Sequence, residues 1–244
     1  MMPRRIKFLR IWLIAMTGVA LVGVPLIAIA QQYTPPRRNL PGRRESAKTR
    51  FLGDTCLVGQ KPLTALIPPN NFGTTTGKTL MLLWYVPDTK AKTAEVRLVD
   101  QADRSLYTTT IPLDNVPGIV TVQLPDRVAT QMELNKAYQW QFSLTCTPND
   151  PSKNPFVEGV VQRIPIEPSL SRALKAASNP RDRATVYAKA SVWHDAIATL
   201  ATQRCLNPGD ATLQTSWKTL LQSVQLETFA DAPLTKCGAI GKGE

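Results

Sequence analysis

The 244-residue chain is 43% hydrophobic and has a formal net charge of +11, a balance that at first suggests a nucleic-acid-binding protein. The charge is concentrated at one end, because residues 1–30 carry +4 and residues 31–50 carry +5, which leaves +2 for the remaining 194 residues. A nucleic-acid-binding fold needs a basic stripe on its folded part, so nucleic acid is excluded as a partner.

Residues 1–30 have the layout of a secretory signal peptide. A basic start precedes an uncharged run from Ile11 to Ala30, which ends in the small-residue sequence Ala28-Ile29-Ala30. We expect cleavage after Ala30 and export of the remaining chain to the periplasm or the cell exterior. The same run is long enough to span a bilayer as an uncleaved anchor, so membrane contact is expected only through this N-terminal segment.

Residues 31–50 are basic and rich in proline, with almost no apolar side chains. Such a segment cannot bury enough apolar surface to offset its ordering entropy, so we predict a disordered linker. Two roles stay open for it: a soluble spacer, or an electrostatic tether to an anionic envelope surface.

Residues 51–167 have the spacing of strand-like runs and turn residues that is typical of an all-β domain. Short apolar or alternating runs are separated by turn residues, a pattern typical of an immunoglobulin-like antiparallel β-sandwich. The predicted strands are 64–67, 79–86, 94–100, 105–111, 118–124, 138–147 and 155–166.

The clearest strand signal is the sequence YQWQFSLTCT at 138–147. Tyr138, Trp140 and Phe142 alternate with polar residues, as expected for a strand with one face in a core and one in water. We therefore predict that Trp140 lies in the core beside Trp84 or Leu83. The spacing of Leu134 and Tyr138 also resembles a tyrosine corner.

After residue 168 the composition becomes helical. We predict a helical domain over 168–230, with a short helix at 169–178, a hairpin of tetratricopeptide type from Asn179 to Cys205, and a helix at 210–225 capped by Asp210. A single repeat cannot bury its own apolar face, so this hairpin must pack on the sandwich, on the last helix or on a partner. Residues 231–244 are predicted to be a C-terminal tail.

Four cysteines in an exported chain favour disulfides over metal ligands. We predict that Cys56 pairs with Cys146 inside the sandwich, and that Cys205 pairs with Cys237 between the helical domain and the tail that follows it. There is no C-x-x-C, and the single histidine cannot complete a His-rich site, so no metal and no cofactor are expected.

Few residues are candidates for binding or chemistry. Asn70 and Asn71 lie in the polar, turn-rich loop 66–77, and Trp193 lies at the turn of the predicted hairpin. Asp150 and Glu158 flank the last β-loop and could act as an acid–base pair if they shared a cleft. His194 is predicted to be a solvated helical residue, because Asp195 beside it points about 100° away on a helix.

Six segments, in this order along the chain, carry a resemblance to a known family: LIPPNNFGTTT, LLWYVP, YQWQFSLTC, FVEGVVQRI, YAKASVWHDAIATLA and WKTLLQSVQL. In this respect the chain resembles an exported bacterial family known as domain of unknown function 928. The resemblance implies export and a β-then-α layout, and it brings no activity, cofactor or catalytic residue.

The sequence therefore favours an exported, non-catalytic binding or adaptor module of the cell envelope. Its expected partner is an envelope protein or polymer. The alternative is a hydrolase that acts on envelope glycan or peptide through Asp150 and Glu158.

Overall fold

A computed structural model describes residues 32–36, 42–46, 56–58, 60–77 and 79–240, so the signal-peptide prediction lies outside the described residues. The described residues form a mixed α/β fold with two sheets and five α-helices. The strands are β1 Thr64–Ala65, β2 Phe72–Thr75, β3 Leu80–Val86, β4 Thr93–Val99, β5 Ser105–Pro112, β6 Gly118–Leu124, β7 Ala137–Leu144, β8 Phe156–Arg163 and β9 Leu234–Ile240. The helices are α1 Asp126–Gln131, α2 Pro168–Ala176, α3 Pro180–Lys189, α4 Trp193–Leu206 and α5 Ala211–Gln222.

The four-stranded sheet has the order β1-β3-β6-β9, and the five-stranded sheet has the order β2-β8-β7-β4-β5. All seven predicted strands are present, with ends shifted by a few residues. The sheets are not purely antiparallel, because β6–β9 and β2–β8 are parallel pairs. Both exceptions involve strands that the local pattern did not predict, β2 and β9.

Buried aromatic rings join the two sheets. Trp84 of β3 packs edge-to-face on Trp140 of β7 with ring centroids 5.8 Å apart, and it stacks on Phe142 at 4.4 Å. All three side chains are at most 2% exposed. The predicted inward face of β7 and the neighbour of Trp140 are therefore confirmed, because a period of two places alternate side chains on one face.

The helices pack on the sheets instead of forming a separate domain. Helix α4 contacts β2, β3 and β9, and its apolar face belongs to the same core cluster as the strands. That face consists of Trp193, Ala196, Ile197, Leu200 and Ala201. The predicted cap is present, because the Asp210 carboxylate accepts from Thr212 N and Leu213 N. Asn179 caps α3 in the same way by accepting from Asp182 N.

The described parts of 31–50 are docked, so the prediction of a disordered linker is wrong for residues 32–36 and 42–46. Tyr33 is 3% exposed and packs edge-to-face on Trp193, with ring centroids 5.0 Å apart. Arg43 exchanges two backbone hydrogen bonds with Glu158, and an Arg44 guanidinium nitrogen donates to Val224 O at 2.6 Å. We call residues 32–36 and 42–46 the N-terminal arm. Composition underestimated it because a few long-range anchors, not average hydrophobicity, hold it in place.

The C-terminal segment 231–244 is not a tail over its described part. Residues 234–240 form β9, which pairs in parallel with β6. The bridge Cys205–Cys237 joins α4 to this strand, and Cys56–Cys146 closes the other pair, so both predicted disulfides are confirmed. The Cys205–Cys237 bridge therefore connects a helix to a sheet and does not lie inside a helical domain.

Candidate functional site

Asn70 and Asn71 hold the N-terminal arm. The Asn70 side-chain amide donates to Pro36 O at 3.0 Å, and the Asn71 amide donates to Gly42 O at 3.0 Å. The loop 66–77 also contains β2, so much of it is sheet and not a free binding loop. The side-chain amides of both asparagines therefore donate hydrogen bonds within the chain.

Trp193 is completely buried at the start of α4. Its indole N–H donates to Leu66 O at 2.9 Å, and its ring is covered by Tyr33. No face of this ring is open to a ligand. Trp193 instead fixes the hairpin and the arm to the sheet.

Asp150 and Glu158 have separate partners. Asp150 is paired with Lys153 at 2.8 Å and accepts from the Ser152 hydroxyl. Glu158 accepts from the Gln139 amide at 3.1 Å, on the outer face of the five-stranded sheet. Neither carboxylate lines the cleft described below, so the structure does not bring them together at a shared cavity.

His194 is buried, which corrects the prediction of a solvated histidine. The side chain is 4% exposed, and its Nε2 has no hydrogen-bond partner among the described residues. A Cβ at Gly73 would lie 2.6 Å from that nitrogen, so β2 passes directly over the ring. Burial lowers the pKa of His194 to about 3, which keeps the imidazole neutral at physiological pH.

A polar cleft of about 390 Å³ lies where the turn after β2 meets helices α3 and α4. We call it the hairpin cleft. Its lining combines hydroxyls, amides and two opposite charges, contributed by strands of both sheets and by both helices. The lining residues are Thr75, Gly77, Thr79, Met81, Gln123, Pro180, Arg183, Tyr187, His194, Asp195, Ala198, Thr199, Thr202 and Gln203.

Asp195 fixes the turn that forms one wall of the hairpin cleft. Its carboxylate accepts from Thr76 N at 2.7 Å, from the Thr76 hydroxyl at 3.2 Å and from the Thr75 hydroxyl at 3.2 Å. Burial raises the pKa of Asp195, and the hydrogen bonds from Thr76 and Thr75 oppose that rise. The carboxylate therefore anchors helix α4 to the end of β2.

Tyr187 and Arg183 of α3 also line the hairpin cleft. Burial, followed by the negative charge of Asp195, raises the pKa of the Tyr187 phenol, so it stays protonated at neutral pH. Arg183 donates to Leu174 O at 3.0 Å, which fixes its side chain beside Tyr187.

Several polar side chains of the hairpin cleft have no hydrogen-bond partner among the described residues. The side chains of Gln123, Thr202 and Gln203 make no hydrogen bond to any residue that the structure describes, and all three line the cleft. Each carries both donor and acceptor capacity. The lining has one cation, Arg183, and one anion, Asp195, so its formal charge is zero with His194 neutral.

Residues 42–234 match the family described as Domain of Unknown Function (DUF928). The match covers most of the chain. The protein belongs to the DUF928 family. No curated protein matches the chain.

The DUF928 match contains all residues of the hairpin cleft. It also spans both sheets as far as the start of β9 and all five helices, which agrees with their shared core. Among the described residues, no three His, Cys, Asp or Glu side chains are grouped as a metal ion would require.

Sequence reasoning missed the hairpin cleft as a site. Its walls come from segments more than 100 residues apart, such as Thr76 and Asp195, so no local motif marks it. One signal was available: Asp195 falls in the first turn of a predicted helix, where a carboxylate often accepts from backbone N–H groups. The sequence does not say that the N–H would come from another element.

Proposed function

We propose that this DUF928 protein is an exported, non-catalytic binding or adaptor module of the cell envelope, and that the hairpin cleft is its binding site. One observation carries the proposal: a cleft built jointly by strands and helices contains amide and hydroxyl groups that have no hydrogen-bond partner among the described residues. Ligand sites are concave, with a few converging polar groups. The volume of about 390 Å³ is at the lower end of the roughly 300–1,000 Å³ found for small-molecule sites.

The scaffold we propose is an immunoglobulin-like sandwich. In that assignment β1, β3 and β6 take the places of strands A, B and E, while β4, β7 and β8 take those of C, F and G. The Tyr138 hydroxyl accepts from Glu133 N at 2.9 Å, which supports a tyrosine corner at the start of strand F. The hairpin α3–α4 would be a single tetratricopeptide-like unit that uses the sandwich in place of a neighbouring repeat.

Export is supported by the two disulfides, which favour an oxidising compartment. Among the described helices, none has the length and apolarity needed to cross a bilayer. A cleaved signal at residues 1–30, or an anchor there, would both place the folded part outside the cytoplasm.

The test is cosedimentation of the purified full chain with isolated envelope polymer, at low and high salt, combined with analysis of the supernatant. We expect retention that survives high salt, because the cleft lining has no net charge and screening weakens mainly contacts between exposed charges. No soluble fragments should appear. Failure to sediment at any salt would overturn the binding proposal, and steady release of sugar or peptide fragments would show a hydrolase instead.

A further inference from the structure

The unused groups of the hairpin cleft define the chemistry of its ligand. Gln123 comes from β6, whereas Thr202 and Gln203 come from α4, so the free donors and acceptors face one space from two sides. Groups that both donate and accept are best matched by ligand groups that do the same. Hydroxyls have this property, whereas carboxylates and phosphates only accept when ionised.

The charges of the cleft lining also favour a neutral ligand. The cleft holds one guanidinium and one carboxylate, and the carboxylate of Asp195 is already engaged by Thr75 and Thr76. An anionic ligand would gain one cation but would also approach that carboxylate in a partly buried site, where charges interact strongly. A neutral ligand avoids this cost.

Tyr187 supplies an apolar surface for such a ligand. It is partly exposed and lines the cleft, whose other apolar lining residues are Met81, Pro180 and Ala198. A tyrosine ring offers a rigid flat face with little conformational entropy to lose on binding. A pyranose ring has a flat C–H face and a rim of hydroxyls, so it can use the ring and the amides together.

We propose that the hairpin cleft binds a neutral sugar residue at the end of an envelope glycan, with Tyr187 against the ring face and Gln123, Thr202 and Gln203 on the hydroxyls. This inference rests on the proposed function and narrows its ligand class. The small cleft volume limits the site to a chain end or a short oligosaccharide.

The variants follow from the lining. Ala198→Phe places a large side chain in the cleft from a partly exposed position of α4, and Ala211→Phe makes the same change at the exposed start of α5. Gln203→Ala removes one free amide, and Gln222→Ala removes an exposed amide at the end of α5 as its control.

The experiment titrates the purified full chain with glucose, N-acetylglucosamine, cellobiose and chitobiose, with inorganic phosphate and acetate as anionic contrasts, and follows binding by ligand-observed NMR. We expect at least one saccharide to bind. Ala198→Phe should raise its Kd by at least about tenfold and Gln203→Ala by about two- to tenfold, the equivalent of one hydrogen bond. Ala211→Phe and Gln222→Ala should leave the Kd unchanged.

Three results would overturn the proposal: no saccharide binds, an anion binds while no saccharide does, or Ala198→Phe binds the saccharide as well as the wild type. Envelope cosedimentation separates this failure from that of the proposed function. If Ala198→Phe still sediments with envelope polymer like the wild type, the protein is a binding module that uses another surface.

Discussion

Two of the buried aromatic pairs, Trp84–Trp140 and Tyr33–Trp193, differ in the hydrogen bonding of their indole N–H groups. Between the sheets, Trp84 and Trp140 pack edge-to-face, and neither indole N–H has a hydrogen-bond partner among the described residues. At the arm, Tyr33 and Trp193 pack in the same geometry, but the Trp193 N–H is bonded to Leu66 O. The first pair contributes packing alone, and the second combines packing with polar contacts.

The difference teaches how each region is encoded. Trp84 and Trp140 lie in apolar or alternating runs, so neighbouring residues predict their burial. Tyr33 lies in a polar, proline-rich segment, and its partner is 160 residues further along the chain. Local pattern therefore predicts the core between the sheets but not the arm interface, and the following predictions test the two regions separately.

The largest effect is expected in the core between the sheets. Trp140→Ala should lower the free energy of unfolding by about 3 to 5 kcal/mol, because a buried large aromatic leaves a cavity that its neighbours fill only in part. The free energy of unfolding of a whole domain is about 5 to 15 kcal/mol, so the variant should be only marginally stable. Urea unfolding of the purified chain measures the change.

Gln141→Ala is the matched control, since Gln141 points away from the core and should change stability by no more than about 0.5 kcal/mol. Equal losses for the two variants would contradict the assignment of faces in β7.

The next effect concerns His194, which lies where β2 crosses the hairpin. Its folded pKa of about 3 is below the usual value of 6.5, so between these values the unfolded chain binds a proton that the folded chain excludes. Stability should therefore fall as the pH drops through this window. From pH 7 to pH 4 the contribution is about 3 kcal/mol.

His194→Gln cannot take up this proton, so urea unfolding at pH 7 and pH 4 should show a smaller loss in the variant than in the wild type. Differences between the two proteins cancel the titration of shared carboxylates. Identical pH dependence would mean that His194 is accessible to protons in the folded state.

Much of the fold could be predicted from the sequence. Seven strands, the cap at Asp210 and both disulfide pairs followed from periodicity, capping preferences and cysteine position. Strand β9 could not be predicted, because it pairs with a strand more than 100 residues earlier and its sequence has little apolar alternation. Strand β2 was not predicted, because it contains a glycine and is flanked by turn residues, a composition that indicates a loop.

Less of the candidate site could be predicted. Asn70, Asn71 and Trp193 were selected as binding residues because their types suit recognition, but the structure uses their polar groups to hold the arm and the hairpin. The cleft depends on the angle at which α3 and α4 meet the sheet. That angle is set by tertiary packing, which residue spacing does not encode.

The smallest of the three effects distinguishes a docked arm from a passive linker. Arg44 reaches across to the turn after α5, where its guanidinium donates to Val224 O at 2.6 Å and to Gln225 O at 3.4 Å. Burial lowers its pKa to about 10, so it is still charged at neutral pH and the bonds are charge-assisted. Arg44→Gln should lower the free energy of unfolding by about 1.5 to 3 kcal/mol.

Arg43→Gln is the matched control, with the same change of charge one residue earlier. The Arg43 side chain is exposed and lies over the Phe156 ring at 4.6 Å, its one contact among the described residues, so its loss should cost at most about 1 kcal/mol. Its backbone pairing with Glu158 does not depend on the side chain. At roughly 2 to 4 °C per kcal/mol for a chain of this size, a thermal melt resolves the two variants. Equal melting temperatures for wild type, Arg43→Gln and Arg44→Gln would mean that the hydrogen bonds from Arg44 to Val224 O and Gln225 O do not stabilise the fold.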